Sequence, residues 1–457
     1  MAKPRAAQEP RTTVTVFSAR TFRSPRVARA LRHGKRTLDR PLTPYYLILG
    51  AAALIIALGL VMVFSASQIT ARFYGLPFAY YFEKQLIAVL IGAALAFAAI
   101  RVPARTHRLL AYPLLLVTVL LLLAVMIPGV GLTVNGNRNW IYLGGPFQIQ
   151  PSEFAKLALV LWGADLLTRK RQLGTLGEWK HLLIPLVPVA GLLLMLVLAG
   201  GDMGTAMIIC ALLFGLLWFS GAPLRLFGTS AAVAAVLAGI AIAAVPHRLS
   251  RLFCIGATKV GADGACYQAV HGVYALASGG LFGTGLGASV EKWGQLPEPH
   301  TDFIFAVTGE ELGLAGTLSV LVLFAALGYA GIRVAARTKD DFVRYAAGGA
   351  TTWIISQAII NVGAVLGLLP IAGVPLPMFS YGGSALLPTM YAVGMLLCFA
   401  RNEPAARAAL TARRDRSGGL RARFGRPGRQ SGRGPGREDG PPRPRDGGGM
   451  RPVGGSR

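Results

Sequence analysis

Residues 45–65 read YYLILGAAALIIALGLVMVFS, 21 residues without one charged side chain. As a helix rising 1.5 Å per residue, such a run crosses the roughly 30 Å hydrocarbon core of a bilayer. It starts far from the N-terminus and no small-residue cleavage site follows it, so it reads as a span rather than a secretory signal. Nine further apolar runs repeat the pattern, near 82–101, 109–127, 152–168, 182–200, 203–219, 223–245, 304–332, 344–368 and 384–401. None alternates like a barrel strand. The expected fold class is therefore all-α, a polytopic membrane protein with about ten transmembrane helices.

Composition excludes a soluble chain. Of 457 residues, 53% are hydrophobic and 14% charged, where globular domains carry about 25% charge. The net charge of +26 suggests nucleic acid until it is located. Residues 1–43 hold 11 Lys/Arg against 2 Asp/Glu, and residues 402–457 hold 14 against 5, so the tails carry 18 of the 26 charges. Three parts follow: a basic tail over 1–43, a membrane domain over 44–402, and an Arg/Gly/Pro-rich tail over 403–457. Both tails lack the apolar residues to build a core and are expected to be disordered and cytoplasmic. Nucleic acid is not an expected partner.

Short-loop charge sets the orientation. With the N-terminus inside, the inner turns carry Arg101, Arg105 and Arg108, then Arg169 to Arg171, then Arg333, Arg337 and Lys339, while the outer turns before residue 246 hold little beyond Arg72 and Arg138. Three segments then face outward: 128–151, 246–303 and 369–383. The second is long and Gly-rich, and loops of that length are usually functional or disordered. Cys254 and Cys266 lie in it, twelve positions apart in an oxidising compartment, and are expected to form a disulfide bracing the loop. Cys210 and Cys398 fall in helices and read as small apolar residues.

Carboxylates at membrane depth default to functional candidates. Asp165 lies near a cytoplasmic helix end, where simple contact with water explains it. Glu153 and Lys156, three apart on one helical face, make either a packing ion pair or a phosphate-binding unit, with Ser152 a possible helix cap. Asp202, in Gly200-Gly201-Asp202-Met203-Gly204, suits a cap on the following helix. Asp302 closes Leu296-Pro297-Glu298-Pro299-His300-Thr301-Asp302 at the start of a span; by spacing alone a capping role is slightly favoured. Gly283-Thr284-Gly285-Leu286-Gly287-Ala288 imitates a dinucleotide fingerprint but has no βαβ context, so a bend is the simpler account.

Several ordered stretches together resemble the SEDS family, which includes FtsW and RodA: Gln150–Lys156, Gly200–Thr205, Ser278–Gly287, Leu296–Gly313 and Val374–Ser384. Gly309–Gly313 and Gln357–Gly363 look more like the FtsW branch than the RodA branch. The resemblance covers about residues 45–402. It implies a peptidoglycan glycosyltransferase that polymerises lipid II at the outer membrane face during cell division, inverting at the sugar carbon and releasing undecaprenyl pyrophosphate. It raises Asp302 to the expected catalytic carboxylate, with Glu153, Lys156, Lys292 and Arg138 as substrate-binding residues. Asn135-Gly136-Asn137-Arg138-Asn139-Trp140 departs from the family's pattern by placing arginine one residue early.

Implied partners are a class B penicillin-binding protein, other division proteins and membrane lipids, the tail arginines meeting anionic headgroups or an acidic division protein. No cofactor is demanded, although a divalent cation, Mg or Mn, is compatible with a pyrophosphate substrate. Two other readings stay open: a lipid II flippase whose path is lined by Glu153, Lys156, Glu310 and Glu311, and an idle scaffold. An elongation polymerase of the RodA type is the nearest alternative within the family.

Overall fold

A computed structural model of the chain describes residues 40–412 apart from 135–136, 145–146, 179–182, 224, 226, 230, 233–238, 240–252, 258 and 262–265. The tails over 1–39 and 413–457, and most of the apolar run over 223–245, lie outside the described residues. The described helices are α1 (Thr43–Phe73), α2 (Tyr80–Arg101), α3 (Ala104–Leu109), α4 (Ala111–Met126), α5 (Pro151–Gln172), α6 (Leu186–Ala199), α7 (Met203–Ser220), α8 (Tyr267–Ser278), α9 (Ile304–Arg337), α10 (Asp341–Val365) and α11 (Gly383–Asn402). Three short strands, β1 (Gly131–Val134), β2 (Asn137–Gly144) and β3 (Phe147–Ile149), form an antiparallel sheet in that order. All elements lie in the compact unit Met1–Ala409.

Nine of the ten apolar runs are thus helical. Six helices are long and apolar enough to cross a membrane: α1, α2, α3 with α4, α7, α9 and α11. The other three explain themselves by position. α5 and α10 are buried along nearly their whole length, so neighbouring helices stand where lipid would, and their sides need not all be apolar. This is why α5 can hold Glu153, Lys156 and Asp165 inside the protein. α6 has only 14 residues.

Small residues set how closely helices approach, as membrane interiors require. A Cβ on Gly394 of α11 would lie 2.4 Å from the Ala96 carbonyl oxygen of α2, and one on Gly59 of α1 would lie 2.6 Å from that of Phe379. Asp165, expected near water at a helix end, does not reach it. It is fully buried and accepts from Arg108 and from Arg169, the latter at 2.8 Å, so it bolts α3 to α5.

The described part of the long loop before α9 packs onto the helices. α9 breaks at Gly313, whose φ of 67° suits glycine. The freed backbone pairs with the Gly-rich segment: Thr284 N–H donates to Glu310 O at 2.9 Å, Gly285 N–H to Glu311 O at 3.0 Å, and Leu314 N–H to Gly280 O at 2.9 Å. The segment that imitates a dinucleotide fingerprint is therefore the cover of a helix break. Cys254 and Cys266 are joined by a disulfide, and Gly256 N–H donates to Gly367 O beyond the end of α10 at 2.9 Å. Alkylation of the denatured protein is expected to modify two of the four cysteines without reductant and all four after reduction. Four modified without reductant would contradict the bridge.

Candidate active site

The three outward segments converge on one cavity of about 980 Å³. Its walls are the sheet (Asn137, Asn139, Trp140, Gln148), the approach to α5 at Gln150, the start of α7 at Asp202 and Met203, Gln268 of α8, then Pro297, Glu298, Thr301 and Asp302, then Pro370–Gly373 with Pro375, and Tyr381, Gly382 and Ala385. Amides, one Trp, one Tyr and three carboxylates line it. Among the described residues that line it, none is Lys, Arg or His.

Asp302 is half-buried in this wall. It is not the helix cap that spacing favoured: α9 is entered through Phe303, and no side chain caps it. Its backbone is fixed instead, the carbonyl accepting from Asn361 Nδ2 at 2.8 Å. Its carboxylate faces Gly373, where an added Cβ would lie 3.6 Å from Oδ2. The preceding turn is strained: Glu298 has φ 52°, a region costly for residues with a Cβ. Thr301 Oγ1 donates to the Glu298 carboxylate at 2.8 Å. His300 is turned away, buried against the rings of Tyr81 and Tyr381 at 4.8 and 5.4 Å. Burial lowers its pKa more than nearby Glu298 raises it. Burial, and then Tyr81 and Tyr80, push the Tyr381 hydroxyl upward, so it stays neutral.

Asp202 caps α7, accepting from Thr205 N–H at 2.9 Å, and also accepts from Gln150 Nε2 at 2.7 Å and Ser152 Oγ at 2.9 Å. Ser152 therefore does not cap α5; its hydroxyl joins α5 to α7. The N-cap of α5 is Gln150, without a side-chain bond, and Pro151 follows in the first turn.

The expected substrate cations stand elsewhere. Lys156 is fully buried and donates to Glu153 Oε1 at 2.8 Å and to Gln357 Oε1 at 2.9 Å. Lys292 is buried and donates to Glu311 Oε1 at 2.6 Å and Ser65 Oγ at 3.2 Å. Arg138 donates weakly to the Gly131 and Met126 carbonyls and borders a void of about 10 Å³ that shares Asn139 and Asp202 with the cavity wall. Glu153, Lys156, Lys292 and Arg138 do not line the cavity itself. For Glu153, Lys156 and Lys292 the physical reason is common: buried charges take partners within the protein. Glu310 and Glu311 do the same, Glu310 accepting from Ser289 Oγ and from Val290 N–H at 2.7 Å.

Residues that the sequence did not single out now carry the site: Asn139, Trp140 and Gln148 on the sheet, Gln268 on α8. Among the described residues no three His, Cys, Asp or Glu side chains converge on a metal position.

The FTSW_RODA_SPOVE family of cell cycle proteins matches residues 45–404. A protein of Mycobacterium tuberculosis named probable peptidoglycan glycosyltransferase FtsW is 40% identical over 378 residues, covering 83% of this chain and 72% of the relative. Stage V sporulation protein E of Bacillus subtilis is 35% identical, covering 79% and 97%. A chain from a peptidoglycan synthase complex, solved for its coordination of polymerization and crosslinking, aligns with TM-score 0.64 at 27% identity, covering 78% and 97%. The rod shape determining protein RodA of Thermus thermophilus aligns with TM-score 0.56 at 28% identity, covering 79% and 97%.

Proposed function

The chain belongs to the FtsW/RodA/SpoVE family of cell cycle proteins, and on that footing we propose that it is a division-type peptidoglycan glycosyltransferase that polymerises lipid II at the outer face of the cytoplasmic membrane. The carrying observation is Asp302, a half-buried carboxylate held by its backbone in a large cavity built from all three outward segments.

A lipid-linked sugar is tethered at the membrane surface, where this cavity stands. Asp302 takes the proton of the acceptor hydroxyl as its oxygen bonds to the donor's anomeric carbon, and the bond from that carbon to the pyrophosphate oxygen breaks with its electron pair. Direct displacement inverts the sugar carbon. Amides and Trp140 suit sugar hydroxyls and ring faces.

A class B penicillin-binding protein as crosslinking partner, and residence at the septum with both termini inside, belong to the same proposal; the synthase complex supports the first. The flippase reading loses its path, because Glu153, Lys156, Glu310 and Glu311 are each spent on buried protein partners. Purified protein with labelled lipid II in detergent is expected to yield glycan polymer. Transfer of lipid II across vesicles without any polymer would overturn the proposal.

A further inference from the structure

The stretch Gln357–Gly363, which sets the chain apart within its family by sequence, has no part in the cavity lining. Its two amides nonetheless reach that wall. Gln357 and Asn361 lie four residues apart, on one face of α10, and both are buried. Gln357 Oε1 accepts from Lys156 Nζ at 2.9 Å and from Trp353 Nε1 at 3.0 Å, while its Nε2 donates to Pro375 O at 2.8 Å. Asn361 Nδ2 spends both hydrogens, on Asp302 O and on Val374 O, each at 2.8 Å.

Residues 370–376 have no regular structure, so their carbonyls need donors from elsewhere at this depth. The same segment presents Gly373 to the Asp302 carboxylate and forms one side of the cavity. Two rigid amides on a buried helix therefore fix the separation of Asp302 from the wall it faces. The Lys156 ammonium, itself held by Glu153, orients the Gln357 amide through a charge-assisted bond.

We propose that Gln357 and Asn361 are positioning residues that set the geometry of Asp302, and that the buried Glu153–Lys156 pair acts on the site through Gln357 rather than by touching the substrate. The inference rests on the glycosyltransferase reading, with Asp302 as the base. Small displacements of a reacting group can cost about 100-fold in rate.

Asn361→Leu keeps the branching at Cγ, is somewhat bulkier, and donates nothing. It is expected to lower kcat for lipid II polymerisation by about 10- to 100-fold, with KM within about threefold and a lowered unfolding temperature in detergent, since two buried carbonyls lose their donor. A second variant covers the case in which Asn361→Leu does not fold. Gln357→Glu keeps acceptors for Lys156 and Trp353 but replaces the donor to Pro375 by a carboxylate oxygen that repels that carbonyl, and the same fall in kcat without a change in KM is expected. A near wild-type kcat in the folded variant, or a raised KM at unchanged kcat, overturns the positioning role. Failure of the wild-type protein to polymerise lipid II sinks the glycosyltransferase reading instead, so the two failures are distinct.

Discussion

Replacing Asp302 by Asn is expected to lower the rate of lipid II polymerisation by a factor of about 100 or more, while the protein inserts, folds and keeps its disulfide. The substitution preserves size and the backbone, so the bond from Asn361 Nδ2 to the carbonyl of residue 302 survives. Phe303, rather than residue 302, holds the cap position of helix α9. The change falls on the carboxylate facing Gly373. A sugar hydroxyl is a weak nucleophile, and proton removal in the transition state is the step that a carboxylate supplies and an amide does not. Measuring polymer length and initial rate with equal amounts of monodisperse protein checks the result. Near wild-type polymerisation by the variant would assign the base elsewhere. His300 is a poor substitute, since it is buried against two tyrosine rings and does not line the cavity.

The amino-acid sequence made the membrane architecture legible because lipid imposes one rule on every span, whereas Asp302, at the end of a loop, read by spacing as a cap and was singled out only through the family resemblance. It misled wherever a charge had two available environments. Asp165 near a helix end reads as solvated, yet Arg108 and Arg169 enclose it. Ser152 at a helix start reads as a cap, yet Asp202 from another helix captures its hydroxyl. The resemblance made Lys156 and Lys292 substrate contacts; each donates to a buried carboxylate, Lys156 to Glu153 in the ion pair their spacing allowed and Lys292 to Glu311. Arg108, Asp202 and Glu311 are partners distant in sequence, which spacing cannot display. The sheet was missed for a different reason: its strands are 3 to 8 residues long and sit between spans, where the Asn135-Gly136 dipeptide is the one local hairpin signal. The amides Gln357 and Asn361 were visible only as polar residues four apart in an apolar run.

Removing one partner of the Lys292–Glu311 pair is expected to cost more stability than any other single change considered for this chain. Both side chains are almost completely buried, the ammonium lies 2.6 Å from the carboxylate, and Ser65 Oγ donates to both carboxylate oxygens at 2.8 and 2.7 Å. The pair joins α1, the outer loop and the segment of α9 just before the break at Gly313. Glu311→Ala leaves the ammonium buried beside one hydroxyl, a loss of about 3–5 kcal/mol, comparable with the total stability of many folded proteins, about 5–15 kcal/mol. Replacing both partners by apolar residues of similar volume, Lys292→Met with Glu311→Leu, is expected to recover most of that loss, because two desolvated charges are removed together. Ser65 then keeps a partner by turning to a carbonyl one helical turn back. Thermal unfolding in detergent and the yield of monodisperse protein read the effect in the two single variants and the double. The double variant also separates the clamp from a substrate contact. A structural clamp predicts that polymerisation per folded molecule returns with stability. If Lys292 instead neutralises the leaving pyrophosphate, the double variant regains stability and stays inactive.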